Sequence, residues 1–181
     1  VGSLDTGVLT AHDGRQEERE ERVRSAKQQS LQGFDVGTTG ISAQLESPGP
    51  FGRWVYGAEY YKDNVDSFRR NYRANGTLES LGIQGPVADD ARYDLLGAYL
   101  QDNVSLGERH ELILGARHTR AEAAAGRVQD PISGAPVSLR ESWTSTVGSA
   151  RLLWRMDRAE RWHFFGGASQ GFRAPNLSDL T

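Results

Sequence analysis

The densest group of chemically capable side chains in this sequence is Phe68-Arg69-Arg70-Asn71-Tyr72-Arg73. Guanidinium groups can hold an anionic small molecule through forked hydrogen bonds, and aromatic rings offer faces to a flat group. Phe68, Arg69, Arg70, Tyr72 and Arg73 are therefore the candidate ligand-binding residues. The plainer reading is a solvated loop face, because Asp63, Asp66 and Glu79 surround the cluster. The acidic pairs Asp89-Asp90 and Asp63/Asp66 could do acid–base work only at a controlled separation with displaced pKa values. In a long polar stretch they read as solvated acids. The histidines are His12, His110, His118 and His163, and none forms the HxxxH or HExxH spacing that grips zinc. Cysteine is absent, so there is neither a disulfide framework nor a thiolate metal site. No GxSxG elbow and no Walker loop occurs. Gly85-Pro86 and Asn75-Gly76 read as turn chemistry. No catalytic residue, metal site or cofactor is expected.

The elements that must carry these residues are strands. Of 181 residues 37% are hydrophobic, with mean hydropathy -0.59. No stretch approaches the ~20 apolar residues of a spanning helix, whereas a membrane-spanning strand needs only ~9–11 residues, half of them facing away from lipid. The formal charge of -3 gives nucleic acid no foothold. Gln16–Arg24 is the nearest approach to a helix, but it is charged all round and would have no face to bury. Elsewhere short alternating segments are separated by Gly/Pro/Asn/Asp clusters. They predict about seven strands, over Val8–Arg24, Gly33–Glu46, Arg53–Asn64, Arg92–Leu106, His110–Glu122, Ser142–Met156 and Arg161–Ala174. Gln16–Arg24 is then the charged top of a strand begun near Val8.

The connections predict direction. Tight turns at Ser47–Gly52, Gly107–Arg109 and Asp157–Glu160 alternate with long polar loops, Val65–Ala91 and Ala123–Arg140. Such loops are uncommon in compact domains and regular in outer-membrane barrels, whose turns are short on one side and long on the other. Strands starting at Arg53, His110 and Arg161 then run outward. Their faces alternate accordingly. Trp54, Tyr56, Ala58 and Tyr60 oppose Glu59. Leu112, Leu114 and Ala116 oppose Glu111, Gly115 and Arg117. Ala150, Leu152 and Trp154 oppose Ser149 and Arg151, and Thr39, Ile41, Ala43 and Leu45 oppose Ser42 and Gln44. In the last strand Trp162, Phe164, Gly166, Ala168, Gln170 and Phe172 form the lipid face, with Gln170 out of character. Trp162 and Phe172 lie about 33 Å apart at ~3.3 Å per residue. Tilted by ~45°, that is about 23 Å of height, close to the ~25 Å between aromatic girdles. Tyr93–Gln101 is apolar on both faces, and the sequence does not assign it.

Four stretches, in order, resemble TonB-dependent outer-membrane receptors. Trp54-Val55-Tyr56-Gly57-Ala58-Glu59-Tyr60-Tyr61 is similar to a receptor strand reading yGxEyy. Gly97-Ala98-Tyr99-Leu100-Gln101-Asp102 is similar to the YxQD strand, and Leu112-Ile113-Leu114-Gly115-Ala116-Arg117 to lxLGaRy, with His118 where Tyr is usual. Phe172-Arg173-Ala174-Pro175-Asn176-Leu177 resembles the FRAP-N-L motif. The resemblance implies an all-β, antiparallel up-and-down transmembrane barrel, present in part, since such barrels need 22 strands. It implies TonB-coupled uptake of a scarce small-molecule nutrient such as an iron chelate, haem or cobalamin. It also implies outer-membrane lipid around the wall and a plug domain that engages TonB. Neither a plug nor a TonB box is legible, so 1–181 reads as an internal piece of the barrel. In the FRAP-like segment Pro175, without an N–H, would end the ladder at the outer rim. Phe172 would anchor at the interface, and Arg173 would face the lumen, a neighbouring acid, the plug or the substrate.

Two readings from other classes stay open at this stage. One is an outer-membrane barrel enzyme built on Asp89 or Asp90 with His118. The other is a soluble β-sandwich or lipocalin-like binding module.

Overall fold

The computed structural model describes residues 5–25, 28–156 and 161–180, with the backbone alone at 24, 25 and 28. Among them are eight strands in one antiparallel sheet: β1 Thr6–Ser25, β2 Gln28–Pro48, β3 Gly52–Arg73, β4 Leu78–Leu81, β5 Asp89–Leu106, β6 His110–Gln129, β7 Pro136–Arg155 and β8 His163–Ser169. The order is β1-β2-β3-β5-β6-β7-β8, and the short β4 pairs with the top of β3. A single 3-10 turn, Leu177–Asp179, follows β8. No described helix is long and apolar enough to cross a membrane, which says nothing of strands.

The all-β antiparallel expectation holds, with one short strand more than the sequence predicts. The soluble sandwich does not fit, because the described residues form a single sheet with no second layer. Its accessible surface is 12142 Å², where a compact monomer of 19.9 kDa would expose about 8,700 Å². No described large side chain is fully buried.

The long-loop expectation needs correcting. Most of Val65–Ala91 and Ala123–Arg140 is strand. β3 runs unbroken for 22 residues to Arg73, and β6 and β7 extend to a connection of only 130–135. A ladder is made by backbone N–H and C=O groups, which go on pairing where the side chains turn polar. Strand therefore continues past the residues at which apolar alternation fades. At ~3.3 Å per residue β3 is about 70 Å long, far beyond the ~9–11 residues a membrane requires. The upper halves of these hairpins stand clear of any bilayer. Gln16–Arg24 indeed belongs to the charged top of β1, paired with β2 and stitched by Arg19–Asp35 at 2.9 Å. The tight ends at 49–51 and 107–109 are as expected; the turn at Asp157–Glu160 lies outside the described residues.

Register sorts every strand into two faces. On one, Tyr60 of β3 opposes Ile41 and Leu96, Ala58 opposes Ala43 and Ala98, and Tyr56 opposes Leu45 and Leu100. The row continues through Leu112–Leu152–Gly166 and Leu114–Ala150–Ala168. His110 stacks on Trp154 at 5.8 Å at its lower edge. The other face is polar over the same height. There Tyr99 donates to Gln44 at 2.7 Å, Thr38 donates to Asp63 at 2.6 Å, and Arg117 bridges to Glu59 across Gly97. β5 is now assigned: Leu96, Ala98 and Leu100 join the apolar face, while Tyr93, Leu95 and Tyr99 take the polar one.

The end of the chain departs from expectation. β8 stops at Ser169, not Ala174, so Phe172 lies beyond the ladder and the girdle spacing from Trp162 has no strand to span it. Gln170 explains its own anomaly: its backbone N–H donates to Gly148 O at 2.9 Å, and its side-chain oxygen accepts from Gly148 N–H at 3.1 Å. It closes the ladder by pairing both backbone groups of Gly148. After that, the chain leaves the sheet plane.

Candidate functional site

The upper half of the polar face carries two adjoining depressions. The first, about 310 Å³, is polar and is lined chiefly by Arg22, Gln32, Arg69, Asn71 and Glu79. Arg22 donates to Glu20 at 2.6 Å, Gln32 donates to the same carboxylate at 2.7 Å, and Arg69 donates to Gln32 at 3.1 Å. First Arg22 and then Gln32 hold the Glu20 carboxyl below its ordinary range. Arg69 also reaches Gly85 O at 3.4 Å, and Gly85 N–H donates to Ser67 Oγ at 2.9 Å, so the connection 82–88 is laced to β3.

The second depression, about 250 Å³, is apolar, with walls of Phe34, Val36, Val65, Val87, Tyr93 and Leu177. It belongs to a buried cluster in which Leu177 packs with Val65, Ala88, Ala91, Ala123, Ala125 and Val128. Burial, and then the Asp63 charge, push the Tyr93 phenol up; Arg173 opposes this and Asp179 adds to it. Tyr93 stands above Leu96, outside the apolar band.

Residues 171–180 form a strap over this second depression. Arg173 pairs with Asp179 at 2.9 Å. Asn176 caps the 3-10 turn reciprocally: Asp179 N–H donates to its Oδ1 at 3.0 Å, and its own N–H donates to Asp179 Oδ2 at 3.0 Å. Leu177 is thereby directed into the apolar patch. Phe172 is exposed, while Ala174 and Pro175 are half-buried. Pro175 therefore sits in an inward-folded strap and not at the end of a ladder on the rim. Arg173 does meet a neighbouring acid.

The five candidate ligand residues divide by strand alternation. Arg69 and Arg73 share the polar face, with Arg69 in the polar depression and Arg73 3.7 Å from Glu79. Phe68 and Arg70 lie on the opposite side, where the guanidiniums of Arg19 and Arg70 flank the Phe68 ring at 5.1 Å and 5.2 Å. Tyr72 has the parity of Phe68, yet borders the polar depression at the hairpin top. Sequence reading missed Arg22, Gln32 and the apolar depression. Alternation along β1 and β2 could have signalled Gln32, once Gly33 was not taken as the strand's start.

The enzyme constellation does not assemble. Asp89 is buried, accepting from Ser67 N–H at 2.8 Å and pairing with Arg127 at 2.6 Å. Asp90 has φ 51 and turns toward Gly126. His118 lies on the other face, 2.8 Å from Thr146 Oγ1. Among the described residues no group of three or more His, Asp or Glu could hold a metal ion.

A sheet apolar outside, polar inside and overtopped by tall charged hairpins has known counterparts. The family model described as TonB dependent receptor-like, beta-barrel matches residues 4–181. The chain belongs to the TonB-dependent receptor β-barrel family. Its apolar face is accordingly the lipid face and its polar face the lumen. Among solved structures the copper transporter OprC is similar, with TM-score 0.78 and 14% identity over 98% of this chain. At that identity the likeness bears on the fold. The chain covers 30% of the OprC chain. No curated protein sequence matches.

Proposed function

We propose that the chain is part of the wall of a TonB-coupled outer-membrane receptor, and that its upper lumenal face takes part in binding an anionic small-molecule nutrient. The carrying observation is the placement of Arg22 and Arg69 in one lumenal depression above the lipid band. Guanidinium forks in a partly enclosed pocket suit carboxylate- or hydroxamate-type chelates. Strands outside this sheet would close the barrel, since open edges are not tolerated in hydrocarbon. A plug domain elsewhere in the receptor would engage TonB and gate the passage.

Anionic iron chelates and haem are cargo classes of this kind, whereas cobalamin carries an anionic phosphate but is neutral overall. Copper comes from the similar structure's name alone. Soft copper(I) favours thiolate and thioether ligands, and this stretch offers no Cys and one Met, Met156, at the foot of β7. An anionic chelate is the better reading.

The test uses the full-length receptor in cells lacking other uptake routes. Binding and uptake of a ferric chelate, haem, cobalamin and a copper salt are measured for the parent, Arg22→Ala/Arg69→Ala and Arg70→Ala. Loss of two charged hydrogen-bond donors should weaken the true cargo by about tenfold or more. Arg70→Ala should be nearly silent. An unchanged double variant discards the reading.

A further inference from the structure

The apolar depression under the strap is out of place in a wet lumen. Phe34 and Val36 on β2, Val65 on β3 and Tyr93 on β5 all point into the lumen by register. Together with Val87 and Leu177 they line an open depression of about 250 Å³. The wall residues alone would explain a patch buried by the strap, but not the space left between strap and wall.

That space has a definite capacity. A dry apolar cavity of about 150 Å³ takes a benzene ring, whereas drug-sized ligands need roughly 300–1,000 Å³. The notch therefore takes one ring system and not a whole ligand. Its walls are two rings and three valines. Its rim carries Asp63, hydrogen-bonded to Thr38 at 2.6 Å, while Asp179 of the covering strap is paired with Arg173 at 2.9 Å. The rim thus favours no anionic occupant, and an uncharged aryl group needs no counter-charge there. The anion-favouring arginines sit next door. Gln32 and Phe34 are successive lumenal positions of β2, and Val65, Ser67 and Arg69 are successive lumenal positions of β3, so the two depressions lie about 7–13 Å apart.

We propose that the notch beneath residues 171–180 is an aryl subsite, receiving an uncharged aromatic ring of a ligand whose anionic part rests against Arg22 and Arg69. The strap is its lid. Leu177 forms the lid's inner surface, and the Asn176–Asp179 capping pair and the Arg173–Asp179 ion pair hold the lid's shape. This rests on the reading of the upper lumen as a ligand site, and deepens it to a two-part ligand.

The probe is 4-(4-fluorophenyl)butane-1-sulfonate, whose four-carbon chain lets an uncharged ring and an anion reach the two depressions together, observed by fluorine NMR with the full-length receptor in detergent; inorganic sulfate is the anion-only control. Val36→Trp fills the notch, and Tyr93→Leu, which removes a ring wall without filling it, serves where the tryptophan prevents folding. Folding is checked by electrophoretic mobility without heating. Notch variants should weaken the aryl probe at least about tenfold and leave sulfate displacement unchanged. Leu177→Ala should speed probe exchange. Arg69→Ala should weaken both anions.

Notch variants that bind the probe as the parent does, while Arg69→Ala weakens it, overturn the aryl subsite and leave the proposed ligand site standing. The reverse pattern upholds the subsite and removes the arginines. A probe that the parent receptor does not bind overturns the subsite.

Discussion

Leu100→Arg should cost far more stability than Gln101→Arg, one residue away. Leu100 lies on the lipid face, opposite Tyr56 and Ala116, and Gln101 lies on the lumenal face, opposite Gly115. On β5 the lipid face runs Leu96, Ala98, Leu100, Asp102, Val104. Leu100 is four positions from either end, about 13 Å along the strand and about 9 Å in height at a ~45° tilt. It is thus at mid-band, where an arginine costs about 2–4 kcal/mol, against about 0–1 near the interfaces. That is a factor of roughly 30 to 1,000 in the folded-to-unfolded ratio. Gln101→Arg loses its 2.8 Å bond to Asn103, about 1 kcal/mol at most. Val104→Arg, at the inner edge, should cost about 0–1 kcal/mol, well below Leu100→Arg. The assay is equilibrium urea unfolding of the full-length receptor in lipid vesicles, each variant read by its midpoint. Equal losses at Leu100 and Gln101, or a greater loss at Gln101, would show that the faces are assigned the wrong way round.

Asp102→Leu should raise the urea midpoint, since Asp102 Oδ1 is a buried carboxylate oxygen without a partner among the described residues on the lipid side; the gain is about 1 kcal/mol, and a fall would mean the carboxylate is satisfied by something outside this sheet. Gly52→Ala should be worse than Gly97→Ala. A Cβ at Gly52 meets the backbone oxygen of Asn103, which cannot yield without parting β3 from β5, whereas at Gly97 it meets the movable end of Arg117; overpacking of the first kind costs about 1–3 kcal/mol, and equal midpoints would refute this. Asp130 is held below the ordinary carboxylate range by the amide N–H groups of Ser133 and Ile132. A depressed folded-state pKa stabilises the 130–135 tip above the unfolded value and is lost as pH falls through the folded one. Amide exchange at Ser133 should therefore accelerate, relative to its intrinsic rate, only below about pH 4, and Asp130→Asn should abolish that step; a step that persists in Asp130→Asn is the contrary result.

Much of this was legible from composition and alternation because both are local. Trp54, Tyr56, Ala58 and Tyr60 against Glu59, or Leu112, Leu114 and Ala116 against Arg117, declare a two-faced strand wherever the neighbours lie. The charged top of β1 was legible too, since no helix could bury it. The tall hairpins were not, because Ser67–Arg73 and Ala123–Gln129 pair through backbone groups that every sequence possesses. Once that pairing is known, period two separates Arg69 from Phe68 and Arg70 without further information.

Local patterning alone establishes a strand-built wall with a lipid side, and the motifs in it point to the receptor family to which the chain belongs. Strand pairing fixes what meets on each side. Tyr93–Gln101 is apolar in both phases, so its orientation was set only by registry with β3 and β6. Arg22 and Arg69 are 47 positions apart and share a pocket because two ladders align them. Leu177 reaches Val65 and Ala123 because Gln170 pairs with Gly148 and the strap then turns inward. The spacing of side chains along a strand is a property of one segment, but the identity of a cross-strand neighbour is fixed by hydrogen bonds between segments remote in sequence.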